Sequence, residues 1–335
     1  MEKKYLGLFN GKRGAVRGAT NYQPRDDGSH IYTQEDYYEW WYFDASFDNG
    51  YHAVITYHYM NVFLKPIIPT VQVMIYKPDG TQAARFGAFG KDEIFANPDY
   101  CDVRMGDSWA KDTGDGYEVY IKIKGVGAHL TFKNVVPPWK PGTGLLFNDK
   151  EKGLVGGWVV PVPHGEVEGE LFLKEETIQV KGSGYHDHNW GNCCMYEFTD
   201  SWYWGRVHTE KYAIDYGWVM PREKGAPVIS PILIAKPGEI VLSTDMMHTE
   251  LQDIVTDEGT GKEYAKKLTI TSDAEGVKLQ LVINSHRVVE SIKLPPAADW
   301  DQYYLRFLAD YELDIDVDGE KDNFTGELLH EYMIL

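Results

Sequence analysis

Hydrophobic and polar residues alternate along most of this chain, and a two-residue period is typical of β-strands. One side of the extended segment 117–123 carries only apolar or aromatic side chains: Tyr117, Val119, Ile121 and Ile123. Alternating runs at 268–270 and 277–283 enclose the polar turn 272–276 and predict a hairpin. The same alternation predicts further strands at 71–76, 170–173 and 178–180.

Two short segments have features of helices, roughly Pro98–Gly106 and Ala297–Phe307. The second follows a Pro-Pro pair and carries an aspartate near its start, as helix N-termini prefer. Everything else reads as short strands and turns. We therefore predict an all-β fold of β-barrels or sandwiches.

An aromatic hairpin pattern supports the division into two domains, because it occurs twice, about half a chain apart. The aromatic run 40–44 is followed by a polar turn and a strand led by Tyr51, and the run 202–206 by a turn and a strand led by Tyr212. We interpret the pair as two copies of one β-barrel unit. The predicted domains are residues 1–196 and 197–335, and their junction is a favoured place for a ligand site.

Composition narrows the class of protein. The 335 residues are 43% hydrophobic and 25% charged, which is ordinary for a soluble globule, and the net charge of −18 argues against a nucleic-acid partner. No uncharged apolar stretch has the length of a membrane helix, so we expect no stable membrane insertion. The N-terminus lacks a signal-peptide pattern, and three cysteines, two of them adjacent, form no disulfide framework. We therefore expect a cytoplasmic protein.

The segment 185–190, Tyr-His-Asp-His-Asn-Trp, has the highest density of reactive side chains in the chain. In an extended strand His186, His188 and Trp190 share one face, and Tyr185, Asp187 and Asn189 share the other. By the same alternation Glu39 lies on one face with Trp41 and Phe43. A histidine beside an indole suits proton transfer at neutral pH, and a carboxylic acid in an apolar pocket can also donate a proton. The alternative is a hydrogen-bonded polar network with a purely structural role.

Metal and cofactor sites are less well supported. A His-x-His pair can chelate zinc or iron, with a third ligand from His208, Glu39 or Asp215, but HExxH and CxxC patterns are absent from the sequence. There is no Gly-rich phosphate loop, Rossmann fingerprint or GxSxG elbow either. We predict no metal and no cofactor.

Three motifs together resemble the carotenoid 1,2-hydratase (hydroxyneurosporene synthase) superfamily, which also holds kievitone hydratase and fungal decalin-forming Diels–Alderases: residues 39–44, 184–191 and 202–206. The resemblance covers most of the chain in order. It implies an all-β fold of two lipocalin-like (calycin-type) β-barrel or sandwich domains packed together, a hydrophobic ligand pocket at or near their junction and no cofactor. It also implies a role for a histidine and the tryptophan two residues later, which match His188 and Trp190, and for a downstream tyrosine and aspartate in the region of Tyr212, Asp215 and Tyr216.

Three functions stay open at this point. The first is hydration, dehydration or acid–base-assisted cyclisation at a C=C bond of a hydrophobic isoprenoid or polyketide. The second is a Diels–Alder cyclase that works by positioning its substrate. The third is a non-catalytic carrier of hydrophobic ligands. The candidate catalytic residues are His188, Asp187, Trp190, His186 and Asp215. The candidate substrate-binding residues are Glu39, Trp41, Tyr185, Asn189, Trp202, Trp204, Tyr212 and Tyr216.

Overall fold

The computed structural model describes residues 14–18, 20–64, 66–297 and 300–335. These residues form two compact units. The N-terminal unit comprises residues 21–140 and 154–194, and the C-terminal unit comprises 195–335, 141–153 and the described part of 1–20. Among the described residues no helix is long and apolar enough to cross a membrane.

Strands make up nearly all of the regular structure. In the first part of the chain they are β1 (Ala15–Gly18), β2 (Tyr38–Phe47), β3 (His52–Met60), β4 (Thr70–Tyr76), β5 (Gln82–Ala88), β6 (Ile94–Ala96), β7 (Asp102–Met105), β8 (Ser108–Asp112), β9 (Gly116–Ile123), β10 (Val126–Asn134), β11 (Leu145–Asp149), β12 (Leu154–Leu173) and β13 (Glu176–Gly191). In the rest they are β14 (Thr199–His208), β15 (Ala213–Pro221), β16 (Ile232–Lys236), β17 (Glu239–Thr244), β18 (His248–Thr256), β19 (Glu263–Ala274), β20 (Val277–Ala297), β21 (Trp300–Val317) and β22 (Glu320–Ile334). The described helical segments are a 3₁₀ turn at Pro24–Asp27 and one short helix, α1 (Met195–Phe198).

Each unit is built on one curled antiparallel sheet that forms a half-barrel. In the N-terminal unit neighbouring strands run β5-β4-β3-β2-β13-β12-β10-β9-β8-β7-β6. In the C-terminal unit the 10-stranded sheet runs β1-β17-β16-β15-β14-β22-β21-β20-β19-β18. The all-β fold expected from the alternation and the lipocalin-like architecture implied by the resemblance are therefore confirmed.

The aromatic hairpins occupy equivalent places in the two sheets. β2 pairs with β3 and with β13, the last strand of its unit, and β14 pairs with β15 and with β22, the last strand of the other unit. In each unit alternate side chains of these strands turn into a hydrophobic core. Phe43 and Ala45 lie in the N-terminal core, and Tyr203 and Val207 lie in the C-terminal core.

Both helix predictions were wrong. Within 98–106 the chain forms β7, in which Val103 and Met105 are buried while Arg104 is exposed. Of the segment 297–307, the described residues belong to the ends of β20 and β21, and Leu305 and Phe307 point into the core. In both places a two-residue burial period outweighs local helix-start signals, because strand pairing buries more apolar surface than a short helix can.

The strand predictions are confirmed. β19 and β20 form the hairpin expected around 272–276, with Glu275 and Gly276 both at positive φ (51° and 80°) in the two-residue turn. β9, β4, β12 and β13 cover the other predicted strands.

Candidate functional site

The polar segment 185–190 lies in β13, which pairs with the aromatic strand β2. His188 is directly opposite Trp41 in this pairing, and His186 is opposite Phe43. Residues opposite each other in an antiparallel pair share a face of the sheet. The imidazoles therefore stack on their aromatic partners, at 3.9 Å between the rings of His186 and Phe43 and 4.3 Å between those of His188 and Trp41.

A second segment, residues 24–30, brings an acid and a third imidazole to the same face. The Asp27 carboxylate accepts a hydrogen bond from the Tyr117 hydroxyl (2.7 Å) and lies 3.1 Å from His186 Nε2 and 3.4 Å from His188 Nδ1. The His30 ring stacks on Trp190, with ring centroids 3.9 Å apart.

Local backbone contacts fix this segment in place. The indole N–H of Trp41 donates to the Asp27 carbonyl (3.0 Å), and the Ser29 N–H donates to the Asn97 carbonyl (2.8 Å). A Cβ on Gly28 would lie 2.3 Å from the Pro98 carbonyl oxygen, so the close approach requires glycine.

Glu39 completes the group. Its Oε1 lies 3.0 Å from His188 Nε2, 3.4 Å from His30 Nδ1 and 2.7 Å from the backbone N–H of His30. Its Oε2 accepts a hydrogen bond from the Tyr37 hydroxyl. We call Asp27, His30, Glu39, His186 and His188 the acid–imidazole cluster. Four of its side chains have at most 1% of their surface exposed, and only that of His30 has more, at 24%.

The electrostatics favour a charged His188. Burial alone would lower the pKa of His188, but hydrogen bonds and charges from Asp27 and Glu39 outweigh burial and raise this pKa to about 9. Burial would raise the pKa of Asp27, yet the imidazoles of His186 and His188 bring it down to about 2. The pKa of Glu39 is lowered despite its burial, because His188 hydrogen-bonds to its carboxylate and the His30 ring lies close to it. At neutral pH an imidazolium therefore lies between two carboxylates.

His30 differs from His188. Burial lowers the pKa of His30 and outweighs the opposing effect of Glu39. At neutral pH its imidazole is therefore neutral. Such a ring can accept a proton at one nitrogen while it releases a proton from the other. The cluster thus brings into contact a buried imidazolium that can act as an acid (His188), two carboxylates (Asp27 and Glu39) and a neutral imidazole (His30).

The opposite face of β13 carries a separate network. The Asp187 carboxylate accepts hydrogen bonds from the side chains of Trp158 (3.1 Å), Tyr185 (3.0 Å) and Asn189 (2.9 Å). This arrangement confirms the predicted alternation of faces. It also places Asp187 on the opposite face of β13 from His186 and His188, so the strand lies between the carboxylate and both imidazoles.

The remaining candidates belong to the C-terminal unit. Asp215 is buried in β15, opposite Arg206 of β14, and Tyr216 is buried in the core of that unit. The Tyr212 hydroxyl donates to Asp322, and the Trp202 indole N–H donates to Glu331, each at 3.0 Å. Trp204 is half-buried two residues further along β14. A substrate pocket shared by these residues and β13 stays a prediction.

Sequence reasoning missed Asp27, His30, Tyr37 and Tyr117 as members or partners of the cluster. Asp27 and His30 lie in an irregular segment that has no periodicity to place them. The available signal was the density of polar and ionisable residues around a glycine in Asp26-Asp27-Gly28-Ser29-His30.

Ligand-type atoms also come together in three groups of described residues: Asp27, Cys101 and His186; His30, Glu39 and His188; and, exposed in the C-terminal unit, His286, Asp310 and Glu327. Hydrogen bonds and ion pairs within the first two groups account for much of their proximity. The absence of a metal stays a prediction. The cysteines in the described part of the chain form no disulfide bond.

The two curled sheets make this a lipocalin-like protein of two half-barrel units, and the acid–imidazole cluster is buried in the N-terminal one. A Diels-Alderase-like family model matches residues 127–288. The comparisons confirm the resemblance to the hydratase and Diels–Alderase superfamily.

Individual relatives carry the same resemblance. The chain is 28% identical over 217 residues to a hydroxyneurosporene dehydrogenase of Chlorobaculum tepidum, covering 53% of this chain and 56% of the relative. It is 27% identical over 220 residues to a quinolone epoxide rearrangement protein of Emericella nidulans, covering 61% and 60%. The chain thus spans less than two thirds of the length of either relative. Kievitone hydratase from Nectria haematococca has a similar fold, with a TM-score of 0.60 at 14% identity over all of this chain and 96% of that one.

Proposed function

We propose that this protein is a lyase or cyclase that needs no cofactor and acts on a hydrophobic, unsaturated small molecule of isoprenoid or polyketide type. The favoured reaction is hydration, dehydration or acid–base-assisted cyclisation at a C=C bond. Relatives whose names describe a hydratase and an epoxide rearrangement support this class of chemistry.

One observation carries the proposal: His188 lies between Asp27 and Glu39 with no exposed surface and stacks on Trp41. Buried charges are costly, and strongly perturbed acids gather at functional sites more often than elsewhere. A protonated imidazole supplies the proton that addition to a C=C bond requires. The negative charge of the two carboxylates and the indole of Trp190, which stacks on His30, suit the positive charge that develops on carbon.

The reaction would run in two steps. The cluster gives a proton to one alkene carbon, the π electrons form the new C–H bond, and the other carbon becomes a cation. Water then adds to the cation and returns its proton to the cluster. Loss of a proton without water addition would instead give an isomerised or cyclised alkene.

Turnover of an alkene panel tests the proposal. Purified protein is incubated with acyclic carotenoids and prenylated phenols in ¹⁸O-water, and products are analysed by mass spectrometry. We expect a product that contains one added labelled oxygen, or an isomer of unchanged mass. His188→Gln should lower the rate by about 100-fold or more, because general acid–base catalysis contributes on that order.

The matched control is His129→Gln, since His129 also pairs with a carboxylate (Glu118, 2.8 Å) but lies outside the cluster. Full activity of His188→Gln would refute the acid–base role. It would favour the second candidate, a Diels–Alder cyclase that works by positioning, which the Diels-Alderase-like family match also supports. Tight binding of the probes without any chemical change would indicate a carrier.

A further inference from the structure

We infer that His30 is the catalytic residue that passes protons between the acid–imidazole cluster and the substrate, drawing them from His188 through Glu39. The inference rests on the proposed function and adds a residue that sequence patterns did not single out.

Access to the substrate is the first reason. The side chains of His188 and Glu39 have no exposed surface, and that of Asp27 has 1%. A group enclosed in this way cannot touch a carbon atom of another molecule. The side chain of His30 is 24% exposed, so it is the part of the cluster that a substrate can reach.

Connection to the buried acid is the second reason. His188 Nε2 and His30 Nδ1 approach the same oxygen, Glu39 Oε1, at 3.0 Å and 3.4 Å. His30 Nδ1 is buried and makes no hydrogen bond at this separation. A shift of a few tenths of an ångström would therefore complete a continuous chain from His188 to His30. Because Nδ1 is buried, the exposed surface of His30 belongs to its other side-chain atoms.

Orientation is the third reason. The His30 ring lies within 5° of parallel to the Trp190 indole, and its backbone N–H donates to Glu39. Gly157 allows this arrangement, because a Cβ there would lie 2.3 Å from the Trp190 ring. A ring fixed by stacking and by its own backbone presents one edge to Glu39 and the other away from it.

The proton balance is simple. His30 gives its Nε2 proton to the alkene carbon and receives a proton at Nδ1 from Glu39, which takes one from His188 Nε2. The net change is a new C–H bond, a neutral His188 and the other neutral tautomer of His30. Deprotonation of the added water reverses the sequence and restores the imidazolium.

Exchange of the His188 ring protons with water tests this path without any substrate. These protons are followed by NMR in ¹⁵N-histidine-labelled wild type, His30→Phe and His30→Gln. Phenylalanine keeps the stacking on Trp190 and the backbone hydrogen bond but has no ring nitrogen. His129→Phe is the matched control, because His129 pairs with Glu118 outside the cluster.

We expect both His30 variants to slow this exchange about tenfold or more, since it must then wait for local opening of the structure. His188 should stay protonated at neutral pH in both, which shows that the cluster is intact. Turnover of any alkene accepted by wild type should fall about 100-fold or more.

Unchanged exchange in both variants would overturn the path, and so would wild-type turnover in His30→Phe. If the exchange slows but wild type converts no alkene of the panel, the proton path stands and the proposed function fails. The two ideas are thus tested separately.

Discussion

At the scale of single residues, the unusual feature is a buried imidazole that stays charged. Removing an ion from water costs several kcal/mol, and only close counter-charges repay that cost. His188 has one on each side, because Asp27 and Glu39 approach its two ring nitrogens. The two carboxylates thus outweigh the cost of burial and stabilise a proton at this position.

Sequence periodicity determines which of these residues could be predicted. His188 and Trp190 lie in one regular strand and Glu39 and Trp41 in another, so alternation was enough to place each pair on one face of its own strand. Asp27 cannot be found in this way, because it comes from a 3₁₀ turn whose path depends on the glycine and on tertiary contacts. The register between β2 and β13 could not be predicted from the sequence either, because many pairings of the two strands satisfy the same alternation.

The charge on His188 makes stability depend on pH. A pKa raised from 6.5 to about 9 means that the stabilisation is complete below pH 6.5 and is lost as the pH rises through 9. At about 1.4 kcal/mol per pKa unit the loss is roughly 3 kcal/mol. The lowered pKa of Asp27 adds nothing in this window, because its stabilisation is lost only as the pH falls towards 2.

Urea unfolding of wild type and His188→Gln at about pH 6 and pH 9 measures this effect. We expect the stability of wild type relative to the variant to fall by roughly 3 kcal/mol over that interval. The comparison cancels the titration of tyrosines and cysteines, which both proteins share. A difference that is independent of pH would show that folding does not raise the pKa of His188.

At the scale of elements, the site depends on two strands and one irregular segment. β2 and β13 present the rings, and residues 24–30 present the counter-ion and the exposed imidazole. The strands could be predicted because the alternation is long and regular. The two helix predictions were wrong because short capping signals stabilise a helix less than pairing in a sheet stabilises a strand. Segment 24–30 has no alternation, and the density of polar residues around Gly28 does not give its path.

Gly28→Ala tests the contribution of this segment. The added methyl group would meet the Pro98 carbonyl at 2.3 Å, and backbone cannot move aside cheaply. We expect a loss of about 1–3 kcal/mol in the free energy of unfolding and a fall in the pKa of His188, as Asp27 is displaced. Thermal unfolding and histidine NMR report the two effects.

Gly90→Ala is the matched control for this substitution. Its Cβ would meet the exposed side chain of Asp92, which can rotate away. If both variants had the same stability and the same His188 titration, segment 24–30 would not be what holds Asp27 in place.

At the scale of the whole molecule, the two sheets place their aromatic hairpins equivalently, yet the acid–imidazole cluster occurs in the N-terminal unit. In the C-terminal unit β14, the equivalent of β2, carries Trp202, Trp204 and Arg206, and β22, the equivalent of β13, carries the buried His330, whose Nε2 lies 2.8 Å from the Ser285 hydroxyl. One fold thus supports different polar chemistry in its two units, and fold alone does not determine the reaction. The boundaries 1–196 and 197–335, the shared pocket and a cytoplasmic location stay predictions.

The most direct test of this account is the titration of His188 followed by NMR in protein labelled with ¹⁵N-histidine, with His188→Gln used to assign its signals. We predict that the ring is an imidazolium at pH 7 and loses its proton only near pH 9. A neutral His188 ring at pH 7 would contradict the account, because the cluster would then lack the proton that the proposed reaction requires.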